Sequence, residues 1–175
     1  MCYYNNQFIN SSYCAGGKNY RQGTNRCNCS GPTGPTGPRG EISQNMATIV
    51  NSPNPQTLNE NEVATLLADF IAGDSIMLTD LSNYINLAKG IYFINYSTSL
   101  TPSASGNINV GFLLNGDVIT SSITSLSPST TEKISVSKSF TLNVLDDTVS
   151  ISFVNLSTLP IEIDKLTINI IKIGE

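Results

Sequence analysis

The stretch "KISVSKSFTLNVL", residues 133–145, decides the fold class of this chain. Polar residues occupy the odd positions from 133 to 143, and Lys138 is the one polar residue at an even position. The apolar residues at the other even positions are Ile134, Val136, Phe140, Leu142 and Val144. Because successive side chains of a strand point to opposite faces, this period of two predicts a β-strand with one buried face.

Further strand-like runs lie on both sides of this stretch, separated by turn-rich breaks. Tyr92, Ile94 and Tyr96 share one face of a run, and "NINVGFLLNGDVIT" predicts a hairpin turning at residues 115–117. Asp146 and Asp147 predict a turn into the next run, in which Val149, Ile151 and Phe153 face inward. The runs are "SIMLTDL" (75–81), "YINL" (84–87), "GIYFINYSTSL" (90–100), "NINVGFLLNGDVIT" (107–120), "TVSISFVNL" (148–156) and "KLTINIIKI" (165–173). Together they predict an all-β sandwich.

One segment of this region is ambiguous. "NENEVATLLADFIAG", residues 59–73, contains good helix formers after an Asn, and propensity alone predicts a helix. Burial of both faces as a strand is the competing interpretation, and the residues alone leave the choice open.

The final run is apolar on both faces. Ile168 and Ile170 share one face, and Ile171 and Ile173 share the other. A strand of this kind is buried on both sides, so we predict contact with another subunit and take all four isoleucines as candidates for a trimer interface. The alternative is a strand covered by a loop of its own chain.

Glycine recurs at every third position in "GPTGPTGPRGEI", residues 31–42. The glycines are Gly31, Gly34, Gly37 and Gly40. Only glycine fits at the crowded axis of three wound polyproline-II chains, so the four triplets predict a collagen-like triple helix. A Pro/Gly linker that stays single-stranded is the alternative. At ~3.1 Å per residue the segment spans roughly 37 Å, which is too short to hold three chains without a clamp at its ends.

All four cysteines, Cys2, Cys14, Cys27 and Cys29, fall within the first 29 residues. A zinc site is disfavoured because the C-x(2–4)-C pairing is absent and the chain has no His. Redox catalysis needs an activated thiolate in a folded pocket. Disulfides are therefore preferred: Cys27 and Cys29 sit where they can pin three chains in register, and Cys2 and Cys14 are placed to reach a neighbouring trimer.

Charge and composition exclude several classes of function. Residues 1–45 carry a net charge of +3, and residues 46–175 carry a net charge of −7. Because phosphate binding needs clustered cations, we predict no nucleic-acid-binding surface on residues 46–175. No apolar run reaches the ~18 residues of a membrane span, and the first ten residues lack the features of a secretory signal. The sequence contains no catalytic arrangement, and we predict neither enzyme activity nor a cofactor.

A calcium site is an alternative role for several of the aspartates. The aspartates at positions 74, 80, 117, 146, 147 and 164 form a possible calcium set, but turn formation between strands is the preferred interpretation.

The order of these parts resembles the collagen-like (BclA-like) surface proteins of bacterial endospores. The matching features are "GIYFINYS" (90–97), "VGFLLNGDVI" (110–119), "FTLNVLDDTVSISFVN" (140–155) and "LTINIIKI" (166–173). The resemblance implies a trimeric jelly roll of the TNF/complement type, a strand-like 59–73 segment, a spore-surface location and O-glycosylation candidates at Thr33 and Thr36. Two features depart from the family: the number of triplets is small, and the Cys-rich start differs from the usual targeting leader.

These observations predict four regions: a Cys-rich connector (1–30), a collagen-like segment (31–42), a linker (43–58) and a jelly-roll trimerisation domain (59–175). The first hypothesis is a homotrimeric structural subunit of the spore surface, with no signal peptide and exposed after the mother cell lyses. Its tail would join trimers into disulfide-crosslinked fibres or attach them to a coat or exosporium anchor protein. The second hypothesis is an adhesin whose jelly-roll tip recognises a glycan or host surface.

Overall fold

A computed structural model describes residues 45–175 of the chain. The predicted cysteine crosslinks, the Gly-X-Y triplets and the two glycosylation candidates lie outside these residues and stay predictions. Within the described part the chain forms β-strands and a single 3₁₀ turn, Thr120–Ser122, with no α-helix. The strands are β1 (Met46–Asn51), β2 (Gln56–Leu58), β3 (Leu66–Ala72), β4 (Ile76–Leu78), β5 (Ile85–Pro102), β6 (Ile108–Leu114), β7 (Asp117–Val118), β8 (Thr124–Leu126), β9 (Ile134–Asn155) and β10 (Ile161–Gly174).

All strand pairs are antiparallel, in the order β3-β1-β10-β5-β9-β6-β7. The two long strands β5 and β9 pass from one layer to the other, because their pairing is interrupted between Ala88↔Thr148 and Gly90↔Val144. Lys89 there faces the three residues 145–147, a bulge that bends both strands. The first layer therefore contains β3, β1, β10, residues 90–102 of β5 and residues 134–144 of β9. The second layer contains β4, residues 85–88 of β5, residues 148–155 of β9, and β6.

An aromatic cluster joins the two layers. Tyr96 and Phe140 come from the first layer, and Phe112 and Phe153 come from the second. Tyr96 lies edge-on to Phe112 at 5.6 Å and to Phe153 at 5.4 Å between ring centroids, and Phe112 lies 5.6 Å from Phe140. Edge-to-face contacts of this kind add to the stabilisation from apolar burial, so this cluster is the centre of the core.

The strand pattern predicted from residues 133–145 is confirmed, because its apolar even positions are buried or half-buried and its odd positions are exposed. Lys138 departs from the rule because its ammonium group donates to the backbone carbonyl of Ile123. The hairpin is also confirmed: Asn115 and Gly116 both have positive φ, of 50° and 96°, between the paired residues Leu114 and Asp117.

Other expectations are resolved or corrected by the pairing. Residues 66–72 of the ambiguous segment form strand β3, because they pair along β1. Asp146 and Asp147 do not turn the chain; they lie in the bulge, and β9 continues beside the same strand β5. Two stretches of the predicted linker 43–58 are strands of the sheet, since Ala47, Ile49 and Asn51 of β1 point into the core.

Candidate functional site

The outer face of the first layer is the most distinctive surface of the described residues, and its character changes from one end to the other. Met46 of β1 pairs with Ile171 of β10, which pairs with Phe93 of β5. Ile171 and Phe93 are 40% and 39% exposed, and Ile173, on the same face, is 57% exposed. These four residues, Met46, Phe93, Ile171 and Ile173, are called the apolar corner. It lies where the chain enters the sheet from its N-terminal region.

Polar side chains occupy the middle of the same face. The Thr48 hydroxyl donates to Asn169 Oδ1 at 3.0 Å, and Asn95 Nδ2 donates to Ser139 Oγ at 2.8 Å. Cross-strand pairs of this kind stabilise a sheet modestly and hold its register. They separate the apolar corner from the far end of the face.

The far end is a shallow recess rich in hydroxyl groups. Ser97 pairs with both Thr167 and Ser137, and Ser99 pairs with both Lys165 and Ser135. The recess has a volume of about 380 Å³ and is lined by Ser97, Thr98, Ser99, Ser135, Val136, Ser137, Lys165 and Thr167. Its walls can donate and accept hydrogen bonds but contain no acid–base pair.

The structure separates the four isoleucines predicted for a trimer interface. Ile168 and Ile170 are 0% exposed and lie in the core of their own chain, so they present no surface to a partner and the prediction is corrected for these two. Ile171 and Ile173 point outward. Strand alternation explains the split, and the sequence had already placed the two pairs on opposite faces.

The acidic residues are dispersed. Within residues 45–175 no group of three or more His, Cys, Asp or Glu side chains is close enough to hold a metal ion. Lys133 Nζ lies 2.7 Å from Asp164 Oδ2, but both side chains are substantially exposed and such pairs contribute little. No helix in the described range is long and apolar enough to cross a membrane.

Among the ionisable groups of residues 45–175, two buried tyrosines have a pKa that departs clearly from its ordinary value. Burial raises the pKa of Tyr96, and a hydrogen bond with Thr124 partly opposes this shift. Burial also raises the pKa of Tyr92, whose hydroxyl donates to the Ala88 carbonyl at 2.7 Å. Both hydroxyls form hydrogen bonds inside the core.

Asn155 organises the end of the second layer, a role that the sequence analysis missed. Its Nδ2 donates to the carbonyl oxygens of Leu58, Asn59 and Leu159 at 3.0, 3.2 and 2.9 Å. Its Oδ1 accepts from the Ser157 backbone N–H at 2.9 Å. An amide side chain at the end of a strand predicts no such set, since two of its partners, Leu58 and Asn59, lie 97 and 96 residues earlier in the chain.

No protein-family model matches this chain, and no curated protein sequence matches it. Several solved structures are similar. The TNF protein Eiger from S. frugiperda has a TM-score of 0.58 at 13% identity, over 74% of this chain and 92% of its own. Murine APRIL at pH 5.0 has a TM-score of 0.57 at 10% identity, over 74% and 98%. The globular domain of zebrafish complement 1qA has a TM-score of 0.51 at 13% identity, over 74% and 97%.

These similarities confirm the jelly-roll part of the expectation. At such low identity they establish the fold alone. The described part of the chain has the antiparallel jelly-roll fold of TNF-like and complement 1q-like domains.

Proposed function

We propose that this chain is a homotrimeric structural subunit of the bacterial endospore surface, which assembles through its Cys-rich tail into disulfide-crosslinked fibres or appendages. The observation that carries the proposal is the order of parts. Four cysteines precede four Gly-X-Y triplets, and the triplets lead directly into a jelly-roll domain. A triple helix requires three chains, and four triplets need help from both ends.

The apolar corner supports trimer formation. Ile171, Ile173 and Phe93 are exposed beside Met46, the second described residue after the triplets. Three chains held together by their triplets would bring three such corners close to one another. Burying them would remove apolar area from water, at about 25 cal/mol per Å². The corner thus supplies the clamp at the C-terminal end of the triplets, and Cys27 and Cys29 supply the clamp at the other end.

Gel electrophoresis of the oxidised full-length protein tests the proposal. We expect a ladder of species that resists boiling in detergent and collapses to monomer only with reductant. Replacing Cys2 and Cys14 with Ser should leave crosslinked trimers and remove the ladder above them. Replacing Cys27 and Cys29 with Ser should lose the covalent trimer. A ladder that ignores reductant contradicts the crosslinking, and electron micrographs of discrete trimers instead of fibres contradict the assembly.

The hydroxyl-rich recess favours a second candidate function, a glycan-binding tip. Hydroxyl side chains of Ser97, Ser99 and Ser137 and the ammonium group of Lys165 can hydrogen-bond to sugar hydroxyls. A glycan array probed with the full-length protein and with the Ser97→Val/Ser137→Val variant would test this function. Binding that the variant loses supports the tip function, and the absence of any bound glycan rejects it.

A further inference from the structure

Among the strands of residues 45–175, β3 leaves one edge of the sheet unpaired. It is the terminal strand of their order, and β1 is its one partner there. On its other side, the Leu66 N–H bonds to the Ser82 carbonyl, and no other β3 backbone group in the described part bonds to anything but β1. A row of free N–H and C=O groups is a template for an added strand.

The exposed side chains of β3 are unusual for such an edge. Leu67 and Phe70 are 54% and 51% exposed, and both lie on the outer face because they pair with Val50 and Thr48. Natural edges are usually protected by Lys, Pro or a covering loop. Here Asp69 is the single charged residue of the strand. The edge therefore offers both backbone groups and apolar contacts to a partner.

Charge identifies the partner. Residues 45–88, which include β3, contain five acidic residues and no Lys or Arg. Residues 1–44 contain four basic residues and one acidic residue, a net charge of +3. The acidic and basic residues are thus segregated into two parts of one chain, so the N-terminal part of one copy is attracted to the β3 region of another.

The N-terminal sequence contains a segment suited to this edge. Residues 3–13, "YYNNQFINSSY", have no charge, no Gly and no Pro, and their aromatic and β-branched members favour strand structure. The basic residues Lys18, Arg21 and Arg26 follow within the next thirteen positions. The thirty residues before the triplets reach at most about 100 Å when extended.

We propose that residues 3–13 of a neighbouring copy add as a strand to the free edge of β3, with their apolar side chains against Leu67 and Phe70 and the following basic residues facing the acidic 45–88 region. This docking rests on the proposed fibre assembly and names its receiving surface. Edge-to-edge pairing of two β3 strands is disfavoured, because it would place two acidic regions side by side.

Two matched variants of the full-length protein test the docking. Leu67→Lys/Phe70→Lys places two charges on the β3 edge, and Val118→Lys/Leu145→Lys adds the same charge at apolar residues away from β3 that are 46% and 72% exposed. We expect the β3 variant to remain trimeric with an unchanged melting temperature. The amount of assemblies larger than the trimer should fall at least about tenfold, because losing the apolar contacts of two large side chains weakens the docking affinity by more than a factor of ten. The control variant should assemble as the unaltered protein does.

The outcomes separate this inference from the proposed function. If the unaltered protein forms no reductant-sensitive assemblies, the proposed function itself fails. If it does and the β3 variant assembles equally well, the fibre proposal stands and the docking surface is wrong.

Crosslinking gives a second readout that does not depend on the variants. Trimers labelled with ¹⁵N are mixed with unlabelled trimers under reducing conditions, assembled by oxidation, and treated with a carbodiimide that joins amines to carboxylates. We expect amide links from Lys18 to Asp69 or Asp74 between labelled and unlabelled peptides. Links confined to peptides of one label, or links from Lys18 to Asp146 and Asp147 instead, would overturn the proposal.

Discussion

The phenolic oxygen of Tyr96 lies 2.6 Å from Oγ1 of Thr124 and also donates to the Ser122 carbonyl oxygen at 3.0 Å. This contact joins β5 in the first layer to the segment that pairs with β6 in the second. The ring of Tyr96 packs edge-on against Phe112 and Phe153 at the same point. One side chain therefore provides both an apolar and a polar link between the layers.

Replacing Tyr96 with Phe should keep the ring packing and remove the polar link. The Ser122 carbonyl and the Thr124 hydroxyl would lose a partner near the core, so we expect a loss of about 1–3 kcal/mol in the free energy of unfolding. Urea denaturation of both proteins at equal concentration measures the loss. Tyr84→Phe, at a 40% exposed site, is the control and should change stability by less than about 0.5 kcal/mol. Equal stability of the Tyr96 and Tyr84 variants would contradict the role given to the Tyr96 hydroxyl.

The two buried tyrosines predict a loss of stability at alkaline pH. Burial raises the pKa of Tyr96 and Tyr92 above the ordinary value of 10.0, so the folded state retains their protons where the unfolded state releases them. Their contribution is fully present below pH 10 and is lost as pH rises from there towards their folded pKa values. Chemical denaturation at a series of pH values from 8 to 12 would measure this, and Tyr96→Phe should show a shallower alkaline decline. A decline of the same steepness in that variant would mean that other groups cause it.

Asn155 should be intolerant of substitution. Asn155 is fully buried, and Asn155→Ala removes the side-chain donor to the buried carbonyl group of Leu58 and the part-buried ones of Asn59 and Leu159, so we expect a loss of about 2–4 kcal/mol. Asn143→Ala, at an exposed position of the same strand, is the matched control. Thermal unfolding of both variants compares them. A melting temperature for Asn155→Ala equal to that of the control would show that water or a rearranged loop replaces the amide.

Replacing two adjacent isoleucines of β10 with Ala should have different effects, one on the stability of the fold and one on association. Ile170→Ala removes a fully buried side chain and should cost about 2–5 kcal/mol in unfolding free energy at every protein concentration. Ile171→Ala removes a 40% exposed side chain of the apolar corner, so it should leave the fold of one chain intact and weaken the proposed trimer.

Sedimentation under reducing conditions, over a range of concentrations, distinguishes the two effects. Ile171→Ala should dissociate at higher concentrations than the unaltered protein. Trimer formation that is unaffected by Ile171→Ala would remove the apolar corner from the interface.

The buried face of one strand and the position of one hairpin turn could be predicted from the local sequence pattern. Period-two alternation predicted the buried face of residues 133–145, and Asn115-Gly116 predicted a hairpin turn. Lys138 broke the alternation, and its reason was invisible locally because its partner, the Ile123 carbonyl, comes from a different segment. Asp146 and Asp147 have the composition of a turn, but pairing of both halves of β9 with β5 makes their segment a bulge.

The candidate surfaces show the same division. Strand alternation separated Ile168 and Ile170 from Ile171 and Ile173, but which pair faces the core depended on how β10 packs between β1 and β5. Residues 59–73 had a helix-like composition, and β3 exists because β1 offers an edge with which it pairs. The exposed edge of β3, with Leu67 and Phe70, could not be foreseen while that segment was unassigned.

The sequence by itself determined the all-β class and most of the inward faces, because side-chain alternation and turn chemistry act over a few neighbouring residues. The segregation of basic and acidic residues into two parts of the chain also follows directly from the sequence. Only the tertiary structure decided the strand order, the bulge that carries β5 and β9 between layers, and the location of the apolar corner and the free edge of β3. These features depend on pairings such as Met46 with Ile171 and Asn51 with Leu66, between residues far apart in the chain or in an order that local propensity does not encode.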